Sequence, residues 1–218
     1  MQTFKDFLKE MAYPVTFSFE EFNNIKSHAG KLKYANERLQ KISSGSSRVV
    51  YKVDDEKVLK IAKNSKGLAQ NTTESDYGLQ SMYSIVARIF EVSDDNFWVE
   101  MELAKKTTPN RFKQIVGMPI TEVESILRDL KTVNDPRQRK YMKQEHLNRI
   151  EREAWKKMEN NEFISELWDM IGNFEMSYPA DFGRISSYGE VLRNGEPEIV
   201  LIDFGLTEET YRDYYSRK

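Results

Sequence analysis

The chain has 218 residues, enough to bury a sizeable core as one domain or as one domain with two lobes. Its net charge of −2 creates no global field towards nucleic acid or membrane, and 31% charged beside 39% hydrophobic residues suits a globular fold with a well-decorated surface. The absence of cysteine excludes disulfides, zinc–thiolate sites and cysteine nucleophiles, and fits a reducing compartment.

The N-terminal run "MQTFKDFLKEMAY" carries Lys5, Asp6, Lys9 and Glu10 where a signal peptide needs apolar residues. No stretch approaches membrane-spanning length, so no membrane partner and a cytoplasmic location are expected. Phe4, Phe7, Leu8 and Met11 recur at helical spacing and predict a short amphipathic helix closed by Pro14. Residues 15–41 mix aromatics with charge and read as helical or irregular; the phenylalanines at 17–22 need burial, which predicts that they pack on the sheet that follows. "SSGSSRVVYKV" (43–53) is a small, flexible run leading into a β-branched strand, and "KVLKIA" (57–62) returns as a second strand after the turn "DDE". Residues 64–83 are loop-like at first and helical from about Thr72. "SIVARIFEV" (84–92), "SDDN" and "FWVEMELA" (97–104) predict a hairpin, with Phe97, Val99, Met101 and Leu103 alternating against Trp98, Glu100 and Glu102.

The second half is helical by pattern over 121–131, 137–158 and 161–177, with Asp135-Pro136 separating the first two. Between Arg128 and Lys157 there are ten Lys/Arg and five Asp/Glu. Leu147, Ile150, Ala154 and Met158 would bury one face there and leave a basic face outside; the favoured reading is a solvated helix, with docking of nucleic acid through 137–157 as the alternative. Trp98, Trp155 and Trp168 read as core, and His28 and His146 as neither a metal pair nor part of a triad. Asn194-Gly195 between two strand-like runs is a hairpin signal. The second of those runs, "EIVLIDFG", ends in Asp203, a carboxylate that needs a cation or a donor at the end of a buried strand.

Four polar residues then stand out. Lys60 is centred in an apolar strand and must snorkel or meet an anion, which Glu74 in the following helix can supply. Asp181 follows the long helix at a Pro-Ala-Asp turn, and Asp203 ends the hairpin after it. The order of "VLKIA", Glu74, "FWVEMELA", "DFGRISSYG" and "DFG" resembles the protein-kinase-like fold, in a small atypical form of the bacterial or bacteriophage type. The resemblance covers roughly residues 42–207. It implies an α+β, two-lobed kinase-like fold, with an antiparallel-sheet N-lobe carrying one helix (42–104) and a reduced, mainly helical C-lobe (105–218), after a helical extension (1–41).

The resemblance further implies an enzyme that uses ATP and Mg2+ to move the γ-phosphoryl group to a hydroxyl on a protein or on itself. Lys60 would orient phosphates, Glu74 would hold Lys60, and Asp181 would position the hydroxyl. Asp203 would hold magnesium, with Ser186 where a second ligand belongs. Gly45 and Ser46 would close over phosphates, Arg184 would add a positive charge, and the backbone of Glu102 and Leu103 would meet adenine. The sequence departs from the pattern in its single loop glycine and in the absence of a histidine before Asp181 and of an asparagine after it. Only residues 206–218 follow Gly205, leaving no room for an activation segment. These departures keep two alternatives in view: a pseudokinase acting as a nucleotide-dependent binding or inhibitory module on a partner protein, and an AMP transferase.

Overall fold

A computed structural model describes residues 17–216, in two compact units: 17–75 with 88–103, and 76–87 with 104–216. The helix expected over Phe4–Met11 lies outside the described residues. The protein is α+β, and its strands pair antiparallel in two sheets.

In the first unit α1 (Phe19–Asn24) and α2 (His28–Arg38) start at serines that accept backbone N–H bonds, Ser18 from Glu21 and Ser27 from Gly30. Five strands follow: β1 (Gln40–Ser44), β2 (Arg48–Lys52), β3 (Lys57–Ala62), β4 (Ile89–Val92) and β5 (Trp98–Glu102), in spatial order β1-β2-β3-β5-β4. The period-2 alternation of β2 and β3 turns Val49, Tyr51, Leu59 and Ile61 towards the core that holds Phe17, Phe22, Tyr34 and Trp98. Residues 17–39 therefore belong to the core of this unit, and the phenylalanines of 17–22 pack there as their burial requirement predicts. The other face of the sheet carries Val50, Lys60 and Val99, which are cross-strand partners.

Three expectations change in this unit. First, β1 falls where an irregular run was expected; it is an exposed edge strand with a bulge between Lys41 and Ser43. Second, the helix α3 spans Ser65–Glu74 and begins well before Thr72, because the Asn64 side chain accepts the Gly67 N–H and caps it. Its buried positions are Gly67, Gln70, Asn71 and Glu74, a helical spacing of i, i+3, i+4 and i+7 written almost wholly in polar residues. Third, β5 does not alternate in burial: Trp98, Val99, Glu100 and Met101 are all buried.

The second unit begins with α4 (Tyr77–Met82). Residues 84–87, expected to continue the hairpin strand of 84–92, lie instead beside the strand that ends at Leu201. Val86 bridges Leu201 in parallel, and the Leu201 N–H donates to Ile85 O at 2.7 Å. Arg193 holds the same segment by donating to Val86 O at 2.9 Å and to Ser84 O at 2.5 Å, and the Ser84 hydroxyl donates to Glu166 at 3.0 Å. The short strand β6 (Lys105–Lys106) pairs with β7 (Tyr188–Arg193), which pairs with β8 (Glu196–Leu201). Asn194 and Gly195 join β7 to β8 with φ of 56° and 85°, the two left-handed residues of a type I′ turn.

Helices make up most of the rest. α5 (Pro109–Val116), absent from the sequence reading, starts at Thr108 and stops at Gly117, whose φ is 80°. α6 (Ile120–Asn134) packs against α8 (Gln144–Met158), which buries Leu147, Ala154 and Met158. The single helix expected over 137–158 is broken: α7 covers only Pro136–Arg139, and 140–143 is a turn. α9 (Glu162–Asn173) buries Ile164, Leu167, Met170 and Ile171, and α10 (Glu208–Tyr214) ends the described chain. Among the described residues no helix is long and apolar enough to cross a membrane.

Candidate functional site

Lys60 is the one charged residue in the interior of β3, between Val50 on β2 and Val99 on β5. An ammonium rising from that apolar surface needs an anion, and it reaches one: Lys60 Nζ donates to Glu74 Oε2 at 2.8 Å. Glu74 closes the last turn of α3 and its side chain is fully shielded from solvent, while that of Lys60 is 6% exposed. The sequence reading missed a third member. Arg48, at the start of β2, meets the same Glu74 Oε2 at 2.7 Å with its side chain only 8% exposed.

Burial alone would raise the Glu74 carboxyl, but the charges of Arg48 and Lys60 outweigh it and hold the group below the usual carboxylate range. The polar face of α3 fixes the rest of the cluster. Asn71 lies 3.5 Å from Arg48 Nη1 through its oxygen, and its amide donates to Asn96 O at 2.9 Å and Phe97 O at 3.2 Å. Ser47 donates to Gln70 at 2.7 Å. A signal for Arg48 existed: Arg48 and Val50 share a face of β2, and Val50 is the cross-strand neighbour of Lys60.

Backbone groups of the other expected residues of this unit are engaged within it. Gly45 and Ser46 are exposed in the β1–β2 loop, but the Gly45 N–H already donates to Arg48 O at 2.9 Å. Lys63 and Asn64 tie down the carbonyls of Gly45 and Ser46 at 2.7 Å and 3.0 Å. At the end of β5 the Glu102 N–H donates to Arg88 O at 2.8 Å and the Leu103 N–H to Glu56 O at 2.7 Å. The N–H groups of the backbone expected to meet adenine are thus engaged inside the first unit, and so is the loop amide of Gly45.

In the second unit Asp181 and Asp203 lie on two segments clamped together at two points. At one end Ile202 N–H donates to Ser187 O at 2.8 Å, one step beyond the Tyr188–Leu201 pair of the β7–β8 ladder. Ser186 and Asp203 are the next residues on either side of that bond. At the other end Ser177 N–H donates to Leu206 O at 2.9 Å, beside the Met176–Thr207 bridge. Residues 178–186 and 203–205 fill the space between the clamps, anchored by the buried rings of Phe182 and Phe204. The Tyr188 hydroxyl, itself buried, donates to Phe182 O at 2.7 Å and ties the turn to β7.

Asp181 sits in a turn of 3-10 helix (Ala180–Gly183) with its side chain 25% exposed, 3.4 Å from Arg184. Arg184 therefore spends its charge beside Asp181, and Ser186 is exposed. Among the described residues no group of three or more His, Asp or Glu side chains is arranged to hold a metal ion. The structure thus joins Lys60 to Glu74, Asp181 to Arg184, and Ser186 to the vicinity of Asp203. No family model, curated protein or solved structure matches the chain.

Proposed function

We propose that the chain is an ATP- and magnesium-dependent phosphotransferase that moves the γ-phosphoryl group to a hydroxyl, on a protein or on itself. The observation that carries this reading is the buried pair of Lys60 and Glu74. Phosphoryl transfer asks the protein chiefly for positioning and charge, and a strand lysine fixed by a helix glutamate supplies a cation of set direction. Lys60 would orient phosphates. Asp203 would hold magnesium as a hard oxygen ligand, with Ser186 beside it and phosphates and water completing the shell, the usual manner for a cation that keeps much of its hydration. Asp181 would position the attacking hydroxyl and Arg184 would neutralise charge near it. A second reading, a nucleotide-dependent binding module without transfer, draws on the engaged amides of Gly45, Glu102 and Leu103.

The test is intact-mass spectrometry of the full chain after incubation with magnesium and ATP, beside Asp203→Ala and with added lysate proteins as substrates. A time-dependent phosphoryl adduct that drops by roughly 10²–10³ in rate in the variant supports the proposal. An adduct the size of AMP moves the function to nucleotidyl transfer. No adduct on any protein leaves the binding module.

A further inference from the structure

The described surface of the second unit carries one concentration of cations that the phosphotransferase reading does not use. It lies on α8 and the turn before it. The buried side of α8 is set by Leu147, Ala154 and Met158, so Arg149, Arg152 and Lys156, at i, i+3 and i+7, form a row on the outward side. All three are exposed. Several other cations of this unit have carboxylate partners, among them Arg128 with Glu124, Lys131 with Glu208, and Lys157 with Glu122. Among the described residues none of Arg149, Arg152 and Lys156 is in an ion pair, and Arg149 meets only the ring of His146, at 3.0 Å. Two outward carboxylates, Glu145 and Glu153, accompany the row without bridging to it.

Aromatic rings flank these charges. Trp155, which the sequence suggests as core, is 48% exposed, three residues on from Arg152 and so adjacent to it on the helix. Tyr141, in the turn that breaks α7 from α8, is 87% exposed. The half-exposed indole of Trp155 thus lies beside Arg152, a cation without an ion-pair partner among the described residues. The row spans about 10 Å along the helix axis.

We infer that the outward face of α8 binds single-stranded nucleic acid, with Arg149, Arg152 and Lys156 on the phosphates and Trp155 stacking on an unpaired base. Charge favours a polyanion, and the exposed rings favour one with free base faces over an acidic protein. The inference uses none of the residues assigned to phosphoryl transfer, so either can fail alone.

The test is fluorescence anisotropy of a labelled oligothymidylate of about 20 nucleotides with the full chain, titrated with salt. Binding is expected to weaken steeply, with a log–log slope of about −0.7 per phosphate neutralised. The combined variant Arg149→Gln, Arg152→Gln and Lys156→Gln should flatten that slope by about 2. Trp155→Ala should keep the slope while losing about tenfold in affinity. Circular dichroism of each variant checks that the fold is intact, as expected for substitutions at exposed positions. Salt-independent binding, no binding at low salt, or a triple variant with the wild-type slope overturns the inference. So does displacement of the oligonucleotide by poly-glutamate at equal charge, which makes the partner an acidic protein. Equal affinity for a duplex with no effect of Trp155→Ala overturns the single-strand assignment.

Discussion

Glu74→Gln is the sharpest probe of the first unit, because it preserves size while removing the carboxylate that Arg48 and Lys60 share. Both contacts are close, 2.7 Å and 2.8 Å, and all three side chains are at most 8% exposed. With charge centres about 4 Å apart and an effective dielectric near 20, each attraction is worth about 4 kcal/mol. Repulsion between the two cations offsets part of that sum, and removing one member of a buried ion pair commonly costs about 3–5 kcal/mol. We expect a loss in that range at neutral pH, a large share of a typical domain stability of about 5–15 kcal/mol.

The pH dependence gives the sign. Glu74 is held below its ordinary value of 4.5, so its contribution is fully present above that pH and is lost as pH falls through the lowered folded value. The gap between wild type and variant should therefore be full near neutrality and narrow as pH falls through the lowered folded value of Glu74. Urea denaturation followed by tryptophan fluorescence, to which Trp98 of the same unit contributes, measures it across pH 3–10. A loss below about 1 kcal/mol at pH 7, or a gap that does not change with pH, would refute the electrostatic reasoning.

Two further substitutions test other parts of the first unit. Gly67→Ala should lower stability by about 1–3 kcal/mol in thermal melts, because the added Cβ would collide with the Ser47 carbonyl and lie 3.0 Å from Ala62 Cα, forcing α3 off β3. An unchanged melting temperature would show that the α3–β3 approach is looser than described. Asp95→Asn should cost no more than about 1 kcal/mol, since Asp95 and its partner His28, 2.9 Å apart, are both about half exposed. Burial pushes the Asp95 carboxyl up, yet hydrogen bonds from His28, Ser93 and the Phe97 N–H hold it at about 2. Its contribution is present above the ordinary value of 3.8 and lost towards pH 2, so wild type and variant should converge in acid titrations followed by circular dichroism.

The strand carrying Lys60, the strand leading to Asp203 and the Asn194-Gly195 turn were legible in the sequence because local rules decide them: β-branched runs, and two left-handed residues in a two-residue loop. The pairing of Lys60 with Glu74 was legible because a buried lysine needs an anion. The start of α3 was not, since its inward face is Gly67, Gln70, Asn71 and Glu74, and hydrophobic periodicity cannot see polar residues buried for each other's sake. Arg48 escaped for the same reason, its role being set by a helix 26 residues further on. The segment 84–87 has the composition of a strand but docks beside β8, a tertiary choice that its own residues do not reveal. Glu102 and Leu103 illustrate the limit for sites: motif order can suggest an amide for a ligand, but not whether Arg88 and Glu56 have already taken it.

The β7–β8 hairpin also offers a practical handle. Its tip, Asn194-Gly195, is exposed, a side chain added at Gly195 would meet nothing nearby, and Leu192 beside it is 69% exposed. The ladder beneath is fixed in register by the buried residues Val191, Ile199 and Leu201, so a short insert or a fluorophore at the tip leaves the pairing below it in place. Such a label would sit roughly 25 Å of extended chain from Asp203. That makes the tip a natural point for immobilising the chain in ligand screens, with both carboxylate-bearing segments left unobstructed.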